Sequence, residues 1–433
     1  MKGDFSEDKA EMNSVSEVAK HVQDSLCIGC GNCTNICKAN CIKMVDDGEA
    51  YFPIIDQAKC NGCGACIEVC PGYAVDFNGL NLEIFGKIPR NYLIGNHINV
   101  YLGYSSDENI RFNASSGGLV TSLLIYAMEE KVIDGALVTG MSDLNPLKPK
   151  PFIATSKEEI ISAMGSKYCP VPLNAAMGDI IRGNGRFAIV GLPCQIAGIR
   201  KLERKMPKLR EKVVYHFGLF CSHTVNFKAT LFLLHLFGID EKRVSKLRYR
   251  GGGWPGYITV TMSDGAQKSI PFIWYGKYHE LFFFTPTRCM LCPDPLSQLA
   301  DVSFGDAWIP EIIEKDTKGT SVCITRTNIG QKLLENATSA GKIILQEMTP
   351  DQFRKILPST FRLRRIKALT KILRKRVPLY DINLPAPKIL DYAIVSIYFL
   401  NNNLSKHEKL WMFIPAVSSI EQHLLHTFSA FFK

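Results

Sequence analysis

Apolar residues along this chain of 433 residues change period several times. In "GGLVTSLLIYAMEEKVIDGALVTG", Leu119, Leu123, Leu124 and Ala127 recur at helical spacing behind a glycine start, and residues 135–139 then read as a strand. "RFAIVGLPCQIAGIRKL" is a buried strand, a tight turn and a helix, and "KVVYHFGLFCSHTVNFKATLFLLHLFGI" repeats that order. Strands alternating with helices predict an α/β core. The turn after the strand holds Cys194 in the first unit and Cys221 in the second. Ligands of α/β sheets gather outside the carboxyl ends of the strands, so both cysteines stand where a cofactor would. "GNGR", residues 183–186, lacks the remaining glycines and the following helix of a phosphate loop, and reads as a tight turn into "FAIV".

Further on, "FRLRRIKALTKILRKRV" places Leu363, Ile366, Leu369, Thr370 and Leu373 near helical spacing among basic residues, the pattern of an amphipathic basic helix. Residues 354–376 hold ten Lys or Arg and no acid, which equals the whole net charge of +10. "ILDYAIVSIYFL" and "LWMFIPAVSSIEQHLLHTFSAFF" are apolar but too short or interrupted to span a bilayer. Three placements of residues 354–433 are open. They could lie on an anionic membrane surface with Trp411, Phe413 and Phe428 at the interface, dock on a partner subunit, or pack on the chain's own core. Nucleic-acid binding has the charge but no supporting fold or aromatic platform, and is not expected.

Composition is that of a globular protein, 46% hydrophobic and 21% charged. The first 24 residues lack an apolar h-region, so no secretory signal is expected. Fifteen cysteines without export point to metal ligands in a reducing, cytoplasmic setting rather than to disulfides. "CIGCGNCTNIC" and "CNGCGACIEVCP" each carry C-x2-C-x2-C-x3-C, the two-cluster bacterial ferredoxin spacing, in which the fourth cysteine of each run serves the other cluster. One 4Fe-4S cluster is therefore expected on Cys27, Cys30, Cys33 and Cys70, the other on Cys37, Cys60, Cys63 and Cys66. The glycines after Cys30 and Cys63 let the backbone fold tightly round a cube. Two features depart from the pattern: Lys38 stands where a proline is usual, and Cys41 is an extra thiol, either a bystander or a substitute for Cys37. Such a module passes single electrons and holds no substrate chemistry, so its exchange partner must lie elsewhere. "RCMLCPDPLSQLADVSFGDAW" adds the soft ligands Cys289 and Cys292. With Cys194 and Cys221 they form a candidate third set, unless those two are small buried core residues. Cys41, Cys169 and Cys323 are left over.

"NASSGG", "GSKYCPVP", "VGLPCQIAG", "GLFCSHT", "RYRGGGWPG" and "RCMLCPD…ADVSFGDAW" follow one another in the chain. Together they resemble the coenzyme F420 hydrogenase/dehydrogenase beta-subunit family, over roughly residues 97–345. The resemblance implies a domain that binds FAD and a 4Fe-4S cluster, with Cys194, Cys221, Cys289 and Cys292 at the cluster-binding positions. It implies hydride exchange between coenzyme F420 and FAD, then single electrons between FAD and iron–sulfur centres. Some relatives reduce chlorophyll-type pigments from ferredoxin instead.

Candidate FAD contacts are Ser115, Ser116, Gly117 and Gly118, where glycines allow close approach and a helix N-terminus favours anions. Lys167 could meet a phosphate or the flavin N1, and Trp254 could stack on a ring. The same residues also suit a helix cap and a core tryptophan. Asp306 is either a ligand contact or a turn residue. The expected architecture is α+β and α/β. It comprises a two-cluster ferredoxin domain (17–78), an α/β FAD and iron–sulfur domain in two parts (97–180 and 181–345), and a basic helical tail (346–433). The expected function is an iron–sulfur flavoprotein oxidoreductase that works with a redox partner protein. The alternatives are a ferredoxin-dependent reductase of a polysaccharide or pigment substrate and a flavin-free electron-transfer subunit.

Overall fold

The computed structural model describes residues 25–373 and 378–431, with side chains through residue 423. Residues 17–24, the basic trio Arg374, Lys375 and Arg376, and the Phe428 side chain lie outside the described set. In the N-terminal module, Gly31 (φ 82°) and Gly64 (φ 72°) are left-handed and open the short helices Asn32–Ile36 and Ala65–Glu68. A Cβ on Gly31 would stand 2.6 Å from that of Ala175, so glycine serves both the turn and the docking of the module. Strands β1 (Ile42–Asp46) and β2 (Tyr51–Ile55) pair as an antiparallel hairpin between the two cysteine runs, and β3 (Ala74–Val75) follows them.

The chain then forms β4 (Asn99–Ser105), β5 (Gly135–Met141), β6 (Pro149–Ala154), β7 (Phe187–Gly191) and β8 (Val213–Leu219). A separate antiparallel sheet follows, made of β9 (Val244–Arg248), β10 (Tyr257–Met262) and β11 (Gln267–Pro271). After it come β12 (Val302–Asp306), β13 (Ser321–Thr325) and β14 (Ile343–Glu347). The main sheet has the order β14-β4-β13-β12-β8-β7-β5-β6. Its centre, β12-β8-β7-β5, is parallel, and antiparallel strands border it on both sides. The expected strand–turn–helix units are present, with Pro193–Lys205 after β7 and Lys228–Leu236 after β8. Gly185 (φ 119°) makes the turn expected ahead of β7.

Side chains alternate across the sheet. Ala136 and Val138 join one core with helices Leu119–Glu129 and Asn328–Ser339. Leu137 and Ile189 join the opposite core, shared by Val69, Phe77 and Leu80 of the N-terminal module, by helix Pro193–Lys205, and by Leu363, Leu369 and Tyr398 of the tail. A last strand, β15 (Leu379–Tyr380), pairs in parallel with β3, so the tail is tied to the N-terminal module.

Of the three placements open for the tail, packing on the chain's own core accounts for several of its charges. Arg364 pairs with Asp391 at 2.7 Å, joining helix Phe361–Leu373 to helix Ile389–Lys406. Arg362 and Arg365 donate to main-chain oxygens near the cysteines of residues 289–292, and Lys367 donates to Leu384 O at 3.1 Å. Trp411 is 5% exposed and packs edge-on against Phe232 and Phe284. These charges and this ring find their partners within the chain; Phe413 stays half exposed. Among the described residues no helix is long and apolar enough to cross a membrane.

A buried charge network fixes helix Pro193–Lys205 to the sheet. His216 on β8 meets Glu203 at 2.7 Å and Asp301 at 2.9 Å, while Arg200 reaches Glu203 at 3.2 Å and Asp301 at 3.3 Å. Burial and Arg200 pull the His216 pKa down, but Glu203 and Asp301 raise it by more, and the net shift is upward. Asp301→Asn leaves Arg200 and His216 with Glu203 as their one shared carboxylate. It is expected to cost about 3–5 kcal/mol in denaturant unfolding of the anaerobic protein. His216 holds its proton to higher pH folded than unfolded. Its stabilisation is therefore complete below pH about 6.5 and is lost as pH rises through the raised value, a slope that His216→Gln should lack.

Candidate functional site

The thiols of the N-terminal module fall into two groups. Burial raises the pKa of Cys27 (to about 12), Cys30 and Cys33, and the charge of Cys70 raises each further. The Gly29 N–H points at Cys27 Sγ, 3.3 Å away. In the second group, burial takes Cys66 to about 11, with Cys63 and Cys37 acting on it by charge. Cys41 lies against this group, its Sγ 3.3 Å from that of Cys37. Burial raises Cys41 to about 12, and Cys37 and Cys60 add to the rise. Cys27, Cys30 and Cys33 thus lie within electrostatic reach of Cys70, and Cys66 within reach of Cys37 and Cys63; Cys33 also feels Cys66, and Cys41 sits beside Cys37.

A third group forms where the sheet's parallel strands end. Cys194 occupies the first turn of helix Pro193–Lys205, directly after β7, and Cys221 follows β8. Cys289 and Cys292 flank the end of helix Thr287–Met290. Burial raises Cys194 and Cys221 strongly, and each also feels the charges of Cys289 and Cys292. Of the cysteines left over, Cys169 and Cys323 are buried in separate apolar clusters.

Arg288 stands between the first and third groups. It donates to Pro71 O at 2.9 Å, next to Cys70, and its charge acts on Cys27 as well as on Cys194 and Cys289. Bare thiolates are opposed by such burial, whereas a bound cationic cluster inverts that preference. Among the described residues no three Cys, His, Asp or Glu are gathered to hold a single metal ion. A cube that spreads four thiolates over four iron corners suits each group by donor type and number.

Beside the third group opens a cavity of about 1400 Å³, larger than the roughly 300–1,000 Å³ of common ligand sites. Ser115, Ser116, Gly118, Lys167 and Cys221 all line it. Its wall therefore runs from the "SSGG" turn to a cysteine of the third group. The two hydroxyls are engaged within the chain: Ser115 Oγ accepts from Ser166 N at 2.7 Å, and Ser116 Oγ meets Ser321 Oγ at 2.5 Å. Gly118 (φ 78°) caps the helix that starts at Leu119. Gly117 is a packing glycine, since a Cβ there would stand 2.4 Å from Gly103 O. Lys167 Nζ donates to Gly165 O at 2.8 Å and to Ala163 O, and burial pulls its pKa down to about 7.

Trp254 is 6% exposed and stands behind Trp308, with ring centroids 4.6 Å apart, so its expected stacking place belongs to Trp308, which lines the cavity. Asp306 is neither a free ligand nor a plain turn residue. It pairs at 3.0 Å with Arg250, which is 1% exposed, donates to Tyr168 OH at 2.9 Å and to Ser115 O, and lies 4.1 Å above the Phe272 ring. Arg250 Nε is buried without a partner in a residue that lines the cavity. Two further wall residues, His223 and His279, stack with centroids 3.8 Å apart and 12° between planes. Burial lowers His279 to about 4 and holds His223 well below the usual histidine value. Sequence reasoning missed Arg250, Trp308 and this pair. Arg250 and His223 lie inside quoted motifs, but only the fold shows that they face one space.

Residues 100–177 match the N-terminal part, and residues 184–351 the C-terminal part, of the family described as coenzyme F420 hydrogenase/dehydrogenase beta subunit; residues 26–74 match a 4Fe-4S dicluster domain. Coenzyme F420 hydrogenase subunit beta of Methanosarcina barkeri is 27% identical over 259 residues, 57% of this chain and 81% of that relative. Coenzyme F420-dependent sulfite reductase of Methanocaldococcus jannaschii is 29% identical over 326 residues, 72% of this chain and 46% of that relative. A chain in a structure of the F420-reducing [NiFe] hydrogenase complex from Methanosarcina barkeri superposes with a TM-score of 0.51 at 26% identity, covering 67% of this chain and 95% of that one. An N-terminal dicluster module and a mixed α/β domain, matched along both parts of one family, make this chain a member of the coenzyme F420 hydrogenase/dehydrogenase beta-subunit family, a family of electron-transferring oxidoreductases.

Proposed function

We propose that this chain exchanges hydride with coenzyme F420, or a similar two-electron substrate, at an FAD held in the cavity, and moves single electrons to or from a redox partner subunit through three 4Fe-4S clusters. The observation that carries this reading is one continuous cavity wall, reaching from the "SSGG" and "GSKY" turns to Cys221. FAD when bound supplies the conversion between paired and single electrons, and clusters take one electron at a time. Cys27, Cys30, Cys33 and Cys70 would hold one cluster and Cys37, Cys60, Cys63 and Cys66 the second. Cys194, Cys221, Cys289 and Cys292 would hold the third, nearest the cavity.

The chain's own groups have separable roles at the cavity. The helix that starts at Leu119 presents its N-terminus to the wall, a favourable place for phosphate. Lys167, protonated below about pH 7, supplies a positive charge that desolvation makes removable. Arg250, locked by Asp306 and Tyr168, keeps one donor, Nε, unspent. Trp308 offers a ring face for a planar heterocycle. The solved relative belongs to a hydrogenase complex, which supports a partner subunit for this chain also.

Protein purified without oxygen should contain about 12 iron and one FAD per chain, and Cys194→Ser should lose about 4 of those irons. Wild-type protein with about 8 iron would remove the third set, and protein without flavin would favour a plain electron relay. Anaerobic mixing with reduced coenzyme F420 should bleach the flavin and then the clusters, and no bleaching would remove the deazaflavin assignment. In flavin-stripped protein, FAD affinity should fall as pH rises through about 7, where Lys167 loses its proton. Lys167→Met should bind FAD about tenfold more weakly at pH 6, about 1.4 kcal/mol, and Lys167→Arg should abolish the pH dependence. Fluorescence titration at pH 6 and pH 8 checks both.

A further inference from the structure

The C-terminal helix Phe361–Leu373 lies beyond the residues that match the family, 100–177 and 184–351. It delivers two guanidinium groups to the third cysteine group. Arg362 donates to Ser222 O at 2.6 Å, to Cys292 O at 3.3 Å and to Cys221 O at 3.5 Å. Arg365, 3% exposed, donates to Met290 O at 3.1 Å, and its Nη2 is buried with no hydrogen-bond partner. Both are thus bound through main-chain oxygens, which orient a guanidinium without cancelling its charge. The carboxylate that Arg362 feels, Asp294, is occupied by the N–H groups of Leu296 and Gln298. Arg288, 3% exposed with its Nε unpartnered, feels the charges of Cys292, Cys194 and Cys289. The charges of Cys289 and Cys292 in turn act on Arg365, and Arg362 acts on Cys289.

A buried cation without a partner is strongly unfavourable. Two buried cations without an ion-pair partner, Arg288 and Arg365, with the partly buried Arg362 beside the same four thiols, are explained if the group carries net negative charge when assembled. We propose that Arg362 and Arg365 are positioning residues of the third cluster, a tail-borne collar whose fixed positive charge raises that cluster's reduction potential above what its thiolates alone would set. Reduction adds one electron and one negative charge to the cluster, so a cation held within a few bonds of its ligands favours the reduced form. These two arginines of the basic run are thus a tuning element supplied by the tail, which β15 anchors to the N-terminal module. This inference rests on the third cluster proposed above.

The test is an EPR-monitored redox titration of full-length anaerobic protein. It compares wild type with Arg362→Gln, Arg362→Lys, Arg365→Gln and Arg365→Lys, with iron counted in each. Each Gln variant should keep its iron and lower the potential of one cluster by about a tenfold change in its reduction equilibrium, about 59 mV for one electron. The other two clusters should be unmoved, and the Lys variants should stay near wild type. Three clusters in wild type with unmoved potentials in Arg362→Gln would overturn the collar. Wild type with only two cluster signals would instead overturn the third cluster itself. Should Arg365→Gln fail to retain iron, Arg362, which is less buried, decides the matter.

Discussion

Twelve cysteine thiols gathered in three groups, most of them partly buried and Cys63 exposed, place one constraint on this molecule: sulfur drawn out of solvent must be supplied with compensating positive charge. Burial alone pushes every strongly buried member of the groups toward its neutral thiol. Iron–sulfur cubes, which the dicluster match supports for the N-terminal module, reverse that preference by bringing their own cations. The surrounding protein contributes peptide N–H groups at the first site and arginines at the third. Much of the architecture follows from building walls that do both.

Helix Pro193–Lys205 shows how local and global demands meet in one element. Its first turn holds Cys194 at the end of β7. One turn on, Gly198 lets the module come close, its carbonyl accepting from Asn32 Nδ2 at 2.9 Å. Lys201 then reaches Cys70 O at 2.8 Å and Ala74 O at 2.6 Å. Arg200 and Glu203 enter the buried network with His216 and Asp301. The helix therefore binds two cysteine groups and the sheet into one rigid frame, and electron transfer over short distances needs such rigidity.

The tail completes the frame from the opposite end of the chain. Helix Phe361–Leu373 buries Leu363, Ile366 and Leu369 in the core shared with the N-terminal module, and β15 adds a strand to it. A basic amphipathic pattern commonly marks a surface helix. Here the apolar stripe and several of the charges both turn inward, because peptide carbonyls beside the third group and Asp391 offer partners that solvent would otherwise supply.

Ligand spacing and backbone needs were legible in the residues themselves. The two C-x2-C-x2-C-x3-C runs, their left-handed glycines, the turn at Gly185 and the strand–turn–helix units depend on neighbours a few positions apart, so local geometry determines them. The α/β pattern also identified Cys194 and Cys221 as residues at strand ends. Only the tertiary structure decided that Trp308 and not Trp254 faces the cavity, that Asp306 is spent on Arg250, and that the tail arginines bind main-chain oxygens beside the third cysteine group. Each of these depends on which long-range partner removes a group from water. Spacing along one chain records local backbone geometry, but it carries no signal for a contact between Arg362 and Cys221, residues that sheet order and helix docking bring together.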